Sequence, residues 1–145
     1  MSQEMRLGHV GLNVTDVERS THFYTQVFQL SVTHRGRKYV YLASGDDVVL
    51  TLWEQSTGSF SGSSPGLHHL AFQVPSFDEV EQVERRLRAM NVQILHDGVA
   101  AHGEAEQSGG LFFVDPDGVR LEVFCSEGAG DRGAPYGEEP TCGFF

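Results

Sequence analysis

Cysteine is scarce in this 145-residue chain, and its two residues, Cys125 and Cys142, are too few for a disulfide framework and are not spaced as a zinc pair. Cys125 reads as a buried strand residue and Cys142 as a tail thiol with no assigned role. Long apolar runs are missing too. None approaches the roughly 20 residues that span a bilayer, and the stretch MSQEMRLGHV has no apolar block of the signal-peptide kind. The expectation is a soluble, cytoplasmic protein that does not engage membranes. Positive charge is the third shortage: 10 basic residues stand against 20 acidic ones, a formal charge of -10. Such a chain repels phosphate backbones and anionic lipid, so nucleic acid is not expected as a partner. What is present, 39% hydrophobic residues and 17 glycines, is ordinary globular composition at a length that suits one domain, residues 1–145.

The sequence is written twice. HVGLNV at 9–14 matches HLAFQV at 69–74, with a histidine opening each segment, an offset of 60 residues and apolar residues at alternate positions. A helix-start signal follows each: Thr15 with Glu18, and Ser76 with Glu79, both fitting a capping box. Val17, Tyr24, Val27 and Phe28 share one helical face, and Val80, Val83, Leu87 and Met90 share another. Three strands are then predicted in each half, over 31–35, 39–44 and 48–55, and over 92–96, 109–115 and 119–125. The unit is β-α-β-β-β, repeated.

Gly45-Asp46-Asp47 and Pro116-Asp117-Gly118 supply turns before the last strand of each half. Aligning them sets VVLTLW over VRLEVF, makes Thr51 the counterpart of Glu122, and widens the offset to 71 residues. The 11 extra residues of the second half fall in HDGVAAHGEAEQSG. Module one is thus bounded at 6–55, a Ser/Gly linker at 56–66, module two at 67–125, and a tail at 126–145 that either wraps the surface or frays.

Strand side chains alternate between faces. If Val10, Leu12 and Val14 pack on a helix, His9, Gly11 and Asn13 point the other way, as do His69, Ala71 and Gln73. On the last strand Arg120, Glu122 and Phe124 share that side. His9, His69 and Glu122 then face one cavity. Two histidines and a carboxylate make the donor set of a facial triad that holds Fe(II), Mn(II) or Zn(II) and leaves positions open. The alternative is that the inward histidines are merely hydrogen-bonded. The repeat favours the triad, because both histidines occupy the same repeat position.

GHVGLNV, HHLAFQV and FFVDPDGVRLEVF resemble segments of the vicinal-oxygen-chelate superfamily, with the likeness covering residues 6–125. That resemblance implies an α+β fold in which two βαβββ modules form a cup-shaped sheet with helices on its outer face. It also implies a small-molecule site, a homodimer whose cup is completed within the chain or across the interface, and metal ligands on the first and last strands. The superfamily includes lactoylglutathione lyases, epimerases, extradiol dioxygenases, thiol transferases giving fosfomycin resistance, and drug-sequestering proteins.

The DPDGVRLEVFC stretch, the His68-His69 doublet and the His102-Gly103 step look most like the catalytic module of an extradiol dioxygenase. This implies ring cleavage of a catechol-like, aromatic substrate with Fe(II) or Mn(II), Zn(II) or Ni(II) being alternatives, held by His9, His69 and Glu122. His102 becomes a candidate for proton handling or substrate contact from a loop over the cup mouth, while an exposed loop histidine is the plainer reading. His68 points away from the ligand face. Thr51 stands where lyase-type members carry a carboxylate, and Phe112 where a ring-cleaving enzyme is expected to have a tyrosine. Glu54 supplies a fourth ligand only through a register change. Thr51, Trp53, Phe112 and Phe124 are the expected substrate-facing residues, with Trp53 and Phe124 either sandwiching a planar ring or filling the cup. The alternatives to ring cleavage are lyase, epimerase or transferase chemistry on the same fold, and a non-catalytic drug-binding protein.

Overall fold

A computed structural model describes residues 3–105 and 107–145; residues 1, 2 and 106, the last of them inside the extra segment of the second half, lie outside the described residues. The chain divides into two compact units, Met1–Ser59 and Phe60–Phe145. The first runs β1 (Val10–Val14), α1 (Val17–Phe28), β2 (Ser31–Arg35), β3 (Tyr39–Ser44) and β4 (Asp47–Glu54). The second runs β5 (Leu70–Gln73), α2 (Phe77–Ala89), β6 (Ala100–Ala101), β7 (Gly109–Val114) and β8 (Arg120–Cys125). Each unit holds one four-stranded mixed sheet, ordered β1-β4-β3-β2 and β5-β8-β7-β6. In each, the first strand pairs parallel with the last and the other pairs are antiparallel. The architecture is α+β, with βαβββ written twice.

Each helix covers its own sheet because the alternation along the strands supplies an apolar face for it. Val17, Phe23, Tyr24 and Val27 of α1 are buried, as are Leu12, Val14, Val40, Leu42, Leu50 and Leu52 of the strands beneath. In the second unit Val80, Val83 and Leu87 of α2 are buried, along with Leu111, Phe113, Leu121 and Val123. The opposite faces carry the chemistry. Gly11 lies beside Thr51, and Ala71 beside Glu122, so the 60-residue and 71-residue offsets meet at equivalent strand pairs. On the other side Tyr41 flanks Thr51 and Phe112 flanks Glu122.

Local signals differ from expectation in three places. Asp16, not Thr15, caps α1, its carboxylate accepting from Arg19 N at 3.0 Å. Glu18 reaches back to no cap and instead pairs with Arg35. Ser76 does stand at the cap position of α2 but makes no side-chain cap hydrogen bond. Finally, the strand expected over 92–96 shrinks to a single bridge between Ile94 and Phe113, followed by a turn of 3-10 helix over Leu95–Asp97. His96 and Asp97 there adopt φ of 58° and 60°, which interrupts extended backbone; the chain resumes as the two-residue β6. The tail docks on the second unit: Ala101 N donates to Gly133 O at 2.9 Å, and the buried Thr141 donates to Ala101 O at 2.8 Å. No helix among the described residues is long and apolar enough to cross a membrane.

The β7–β8 turn that sets the register of Glu122 is built on a buried carboxylate. Asp115 Oδ1 accepts from Asp117 N and Val119 N, each at 2.8 Å, while Gly118 takes a φ of 87° that an L side chain rarely adopts. Asp115→Ala leaves two backbone donors without that acceptor and is expected to destabilise the chain by about 1–3 kcal/mol, read from urea unfolding. At the end of β4, Glu54 accepts from Val17 N at 3.0 Å and lies 3.3 Å from Lys38 Nζ. The Val17 hydrogen bond first, then Lys38, hold its carboxyl below the usual range. A depressed folded-state pKa contributes stability above the unfolded value, lost as pH falls through the folded one. Glu54→Gln is therefore expected to lower Tm at neutral pH, with the deficit disappearing in acid.

Candidate metal centre

Glu122 occupies the middle of β8, between Ala71 on β5 and Phe112 on β7, and is 3% exposed. A carboxylate taken out of water needs hydrogen bonds or a cation. His102 supplies the first: its Nε2 lies 3.2 Å from Glu122 Oε2, and the imidazole is itself buried, 8% exposed. His102 Nδ1 stands 2.6 Å from Ser108 Oγ, whose hydroxyl donates to the Cys125 carbonyl at 3.2 Å. A serine has one proton to give, so His102 Nδ1–H is the donor in the contact with Ser108. The opposite ring nitrogen, Nε2, is thereby directed at Glu122 Oε2.

His102 lies in the connection between β6 and β7, and the plainer reading of an exposed loop histidine is corrected by its burial. The residue follows β6 directly, its backbone N donates to Ser108 O at 2.8 Å, and the hairpin turns its ring inward onto β8.

His69 stands one residue ahead of β5 and is half-buried. Burial lowers its pKa, against a smaller opposing pull from Glu122, so the ring is neutral at pH 7 and keeps a nitrogen lone pair for a cation. His68, expected to point away, instead sets its Nδ1 2.8 Å from His69 Nδ1. Both histidines precede the strand, so period-two alternation does not separate them. The contact of His69 Nδ1 with His68 is of the kind by which a metal-bound imidazole's other nitrogen is commonly oriented.

The third donor is one the sequence reading passed over. Cys142 Sγ, a nitrogen of His69 and a carboxylate oxygen of Glu122 all lie within 4.8 Å of one another. The tail's lack of a period hid this; the one local signal was TCGFF, a thiol beside two aromatics ending a polar, glycine-rich segment. Burial first, then the charges of Glu122 and Glu104, push the Cys142 thiol up. Imidazole, carboxylate and thiol form a donor set that fits a divalent metal of the borderline class.

The remaining expected residues divide between the units. His9 is exposed, immediately ahead of β1 in the first unit, at the repeat position of His69. Thr51 is 1% exposed and accepts from Trp53 Nε1 at 2.9 Å. Trp53 stacks on Tyr39 at 5.3 Å and meets Tyr41 edge-on at 5.9 Å. The Glu54 carboxylate is engaged at the N-terminus of α1, three residues beyond Thr51 on the strand. In the second unit Phe112 is fully buried among His96, His102 and Phe145, while Phe124 is half-buried against His102. Phe112 is thus a wall behind Glu122.

Because His102 holds the carboxylate, His102→Phe is expected to keep the fold and weaken divalent-metal affinity by about 10–100-fold, measured by competition with a chromophoric chelator.

Residues 6–123 match the family described as the Glyoxalase/Bleomycin resistance protein/Dioxygenase superfamily. Among curated relatives, the chain is 27% identical to the trivalent organoarsenical cleaving enzyme of Bacillus sp. (strain MD1), over 95% of this chain and 83% of that one. It is 26% identical to the catechol-2,3-dioxygenase of Bacillus subtilis (strain 168), over 84% of this chain but 42% of that one, so it spans less than half of that relative's length. It is also 26% identical to the glutathione transferase FosA of Serratia marcescens, over 94% and 92% of the two chains. Among solved structures, a glyoxylase/bleomycin resistance protein/dioxygenase domain from Frankia sp. EAN1pec superposes with a TM-score of 0.71 at 23% identity, over 85% of this chain and 98% of that one. With the repeated βαβββ topology and the match over residues 6–123, the chain belongs to the glyoxalase/bleomycin resistance protein/dioxygenase superfamily.

Proposed function

We propose that this chain is a metal-dependent oxygenase of the superfamily that binds a divalent cation, Fe(II) or Mn(II), through His9, His69 and Glu122 and opens the ring of a catechol-like small molecule. The observation that carries this reading is the buried Glu122 carboxylate, set beside a neutral His69 and within hydrogen-bond distance of His102. The likeness to a catechol-2,3-dioxygenase supports the reaction class. When bound, the cation supplies Lewis acidity toward two neighbouring hydroxyl oxygens and brings the electron-rich ring together with dioxygen.

The chain's own residues do the rest. Glu122 and His69 present one carboxylate oxygen and one imidazole nitrogen. His102 Nε2, 3.2 Å from Glu122 Oε2, holds that carboxylate in place and is the candidate to handle the proton that a catechol hydroxyl loses. Ser108 fixes the tautomer of that ring through Nδ1. Phe124 is the half-buried aromatic that would meet a planar ring, while the fully buried Phe112 packs behind Glu122. Within the first unit, Trp53 stacks on Tyr39 and donates to Thr51.

A second reading has a specific observation in its favour. The organoarsenical cleaving enzyme matches this chain along most of both lengths, and the thiol of Cys142 stands beside His69 and Glu122, where a thiophilic trivalent arsenical would be received.

Protein prepared anaerobically with Fe(II) or Mn(II) is expected to hold about one metal ion per chain and to consume oxygen with at least one member of a broad catechol panel. His69→Ala and Glu122→Ala are expected to lose both metal and oxygen uptake. Metal binding without oxygen uptake on any catechol, joined by loss of the carbon–arsenic bond from a trivalent organoarsenical, moves the assignment to the second reading. A ligand bound tightly after chelation and recovered unchanged would mark a binding protein.

A further inference from the structure

The C-terminal tail brings a thiol to the two metal-ligand candidates of the second unit, and it is held there by packing on both sides of the cysteine. On the N-terminal side, Thr141 is fully buried and donates to Ala101 O at 2.8 Å. A little earlier the tail backbone presses so closely on Gly103 that a Cβ there would collide with the carbonyls of Gly137 and Glu139. On the C-terminal side, the Phe145 ring packs against His69 at 5.5 Å and Phe112 at 5.6 Å, with the Arg120 guanidinium 5.7 Å from its centroid. Between these anchors a turn of 3-10 helix, Thr141–Gly143, sets the direction of Cys142.

We infer that Cys142 is a metal ligand, completing a His69–Glu122–Cys142 donor set in which the C-terminal tail closes over the cation. This deepens the metal-binding reading above for His69 and Glu122 and is independent of His9. The three donor atoms lie within 4.8 Å of one another. Bonds of about 2.0–2.3 Å to a shared ion hold donors about 4 Å apart or less, so only a small inward movement of the side chains is required. A thiolate also changes which metal the site prefers. A softer sulfur donor beside imidazole and carboxylate favours Fe(II), Co(II) and Zn(II) over Mn(II) and Mg(II), which prefer all-oxygen or oxygen-rich surroundings. The thiol gives up its proton on binding the metal, and no oxidant or reductant takes part. The tail thereby acts as a ligand-bearing strap, which a substrate must share the metal with or displace.

The test is cobalt(II) substitution of the full-length protein, read by absorption and by metal content. The expected result is one cobalt per chain with an intense near-ultraviolet thiolate-to-cobalt charge-transfer band, which disappears in Cys142→Ser while the far-ultraviolet circular dichroism is unchanged. A second measurement needs no variant: zinc(II) is expected to slow alkylation of Cys142 by iodoacetamide in the unaltered chain, followed by mass spectrometry. Cobalt bound without that band, a band that survives in Cys142→Ser, or alkylation unaffected by zinc overturns the inference and leaves the His69–Glu122 reading standing. Failure of the unaltered chain to bind cobalt or zinc at all overturns both.

Discussion

A carboxylate held almost wholly out of water at the centre of a sheet is the constraint around which the second unit is organised. Glu122 sits on the middle strand pair, and its desolvation has to be offset locally. His102 meets one oxygen, Ser108 orients His102, and the Cys125 carbonyl orients Ser108, so a chain of hydrogen bonds runs from the end of β8 back to its middle. Each member is positioned by backbone already committed to the sheet: β6 delivers His102, the start of β7 follows Ser108, and β8 carries Glu122 and Cys125. Relaxing any one of them leaves a buried polar group without its partner. This is why the extra residues of the second half, which could have been an ornament on the repeat, are integral to the site.

Two halves with one backbone plan have diverged in what they bury. Thr51 and Glu122 occupy the same place in their sheets, each flanked by a small residue on one side and an aromatic on the other. In the first unit the position is filled by a hydroxyl that accepts from Trp53, and the surrounding aromatics Tyr39, Tyr41 and His34 pack on one another. In the second it is a carboxylate surrounded by imidazoles. The same pleat therefore serves as an aromatic surface in one unit and as a polar centre in the other. The first unit's spare carboxylate, Glu54, is committed to the N-terminus of α1, where the unpaired amides and the helix dipole favour negative charge.

The tail shows how a segment with a single turn of 3-10 helix can be specific. Its backbone approaches closely at Gly103, which has no Cβ to collide with it, and its last residues bring an aromatic to His69 and a thiol to His69 and Glu122. Both depend on where β6 and β7 have placed the surface that the tail covers.

Much of the architecture was legible in the residues. Alternation along HVGLNV and HLAFQV, the apolar spacing of the two helices, and the Gly45 and Pro116-Asp117-Gly118 turns determine two βαβββ units and put Thr51 and Glu122 at equivalent positions, because strand and helix periods are local properties of a chain. The choice of Asp16 over Thr15 as cap, and the reduction of the 92–96 strand to one bridge, are decided by backbone dihedrals that composition does not specify. The pairing of His102 with Glu122 and the arrival of Cys142 belong to tertiary structure alone. Those residues lie outside any periodic element or many positions apart, and only the folding of β6, β7 and the tail onto one sheet brings their side chains within bonding distance. Sequence by itself determined the repeated frame and which face of it would carry polar groups; packing decided which of those groups meet, since contact between distant residues depends on the path of the whole chain and not on local spacing.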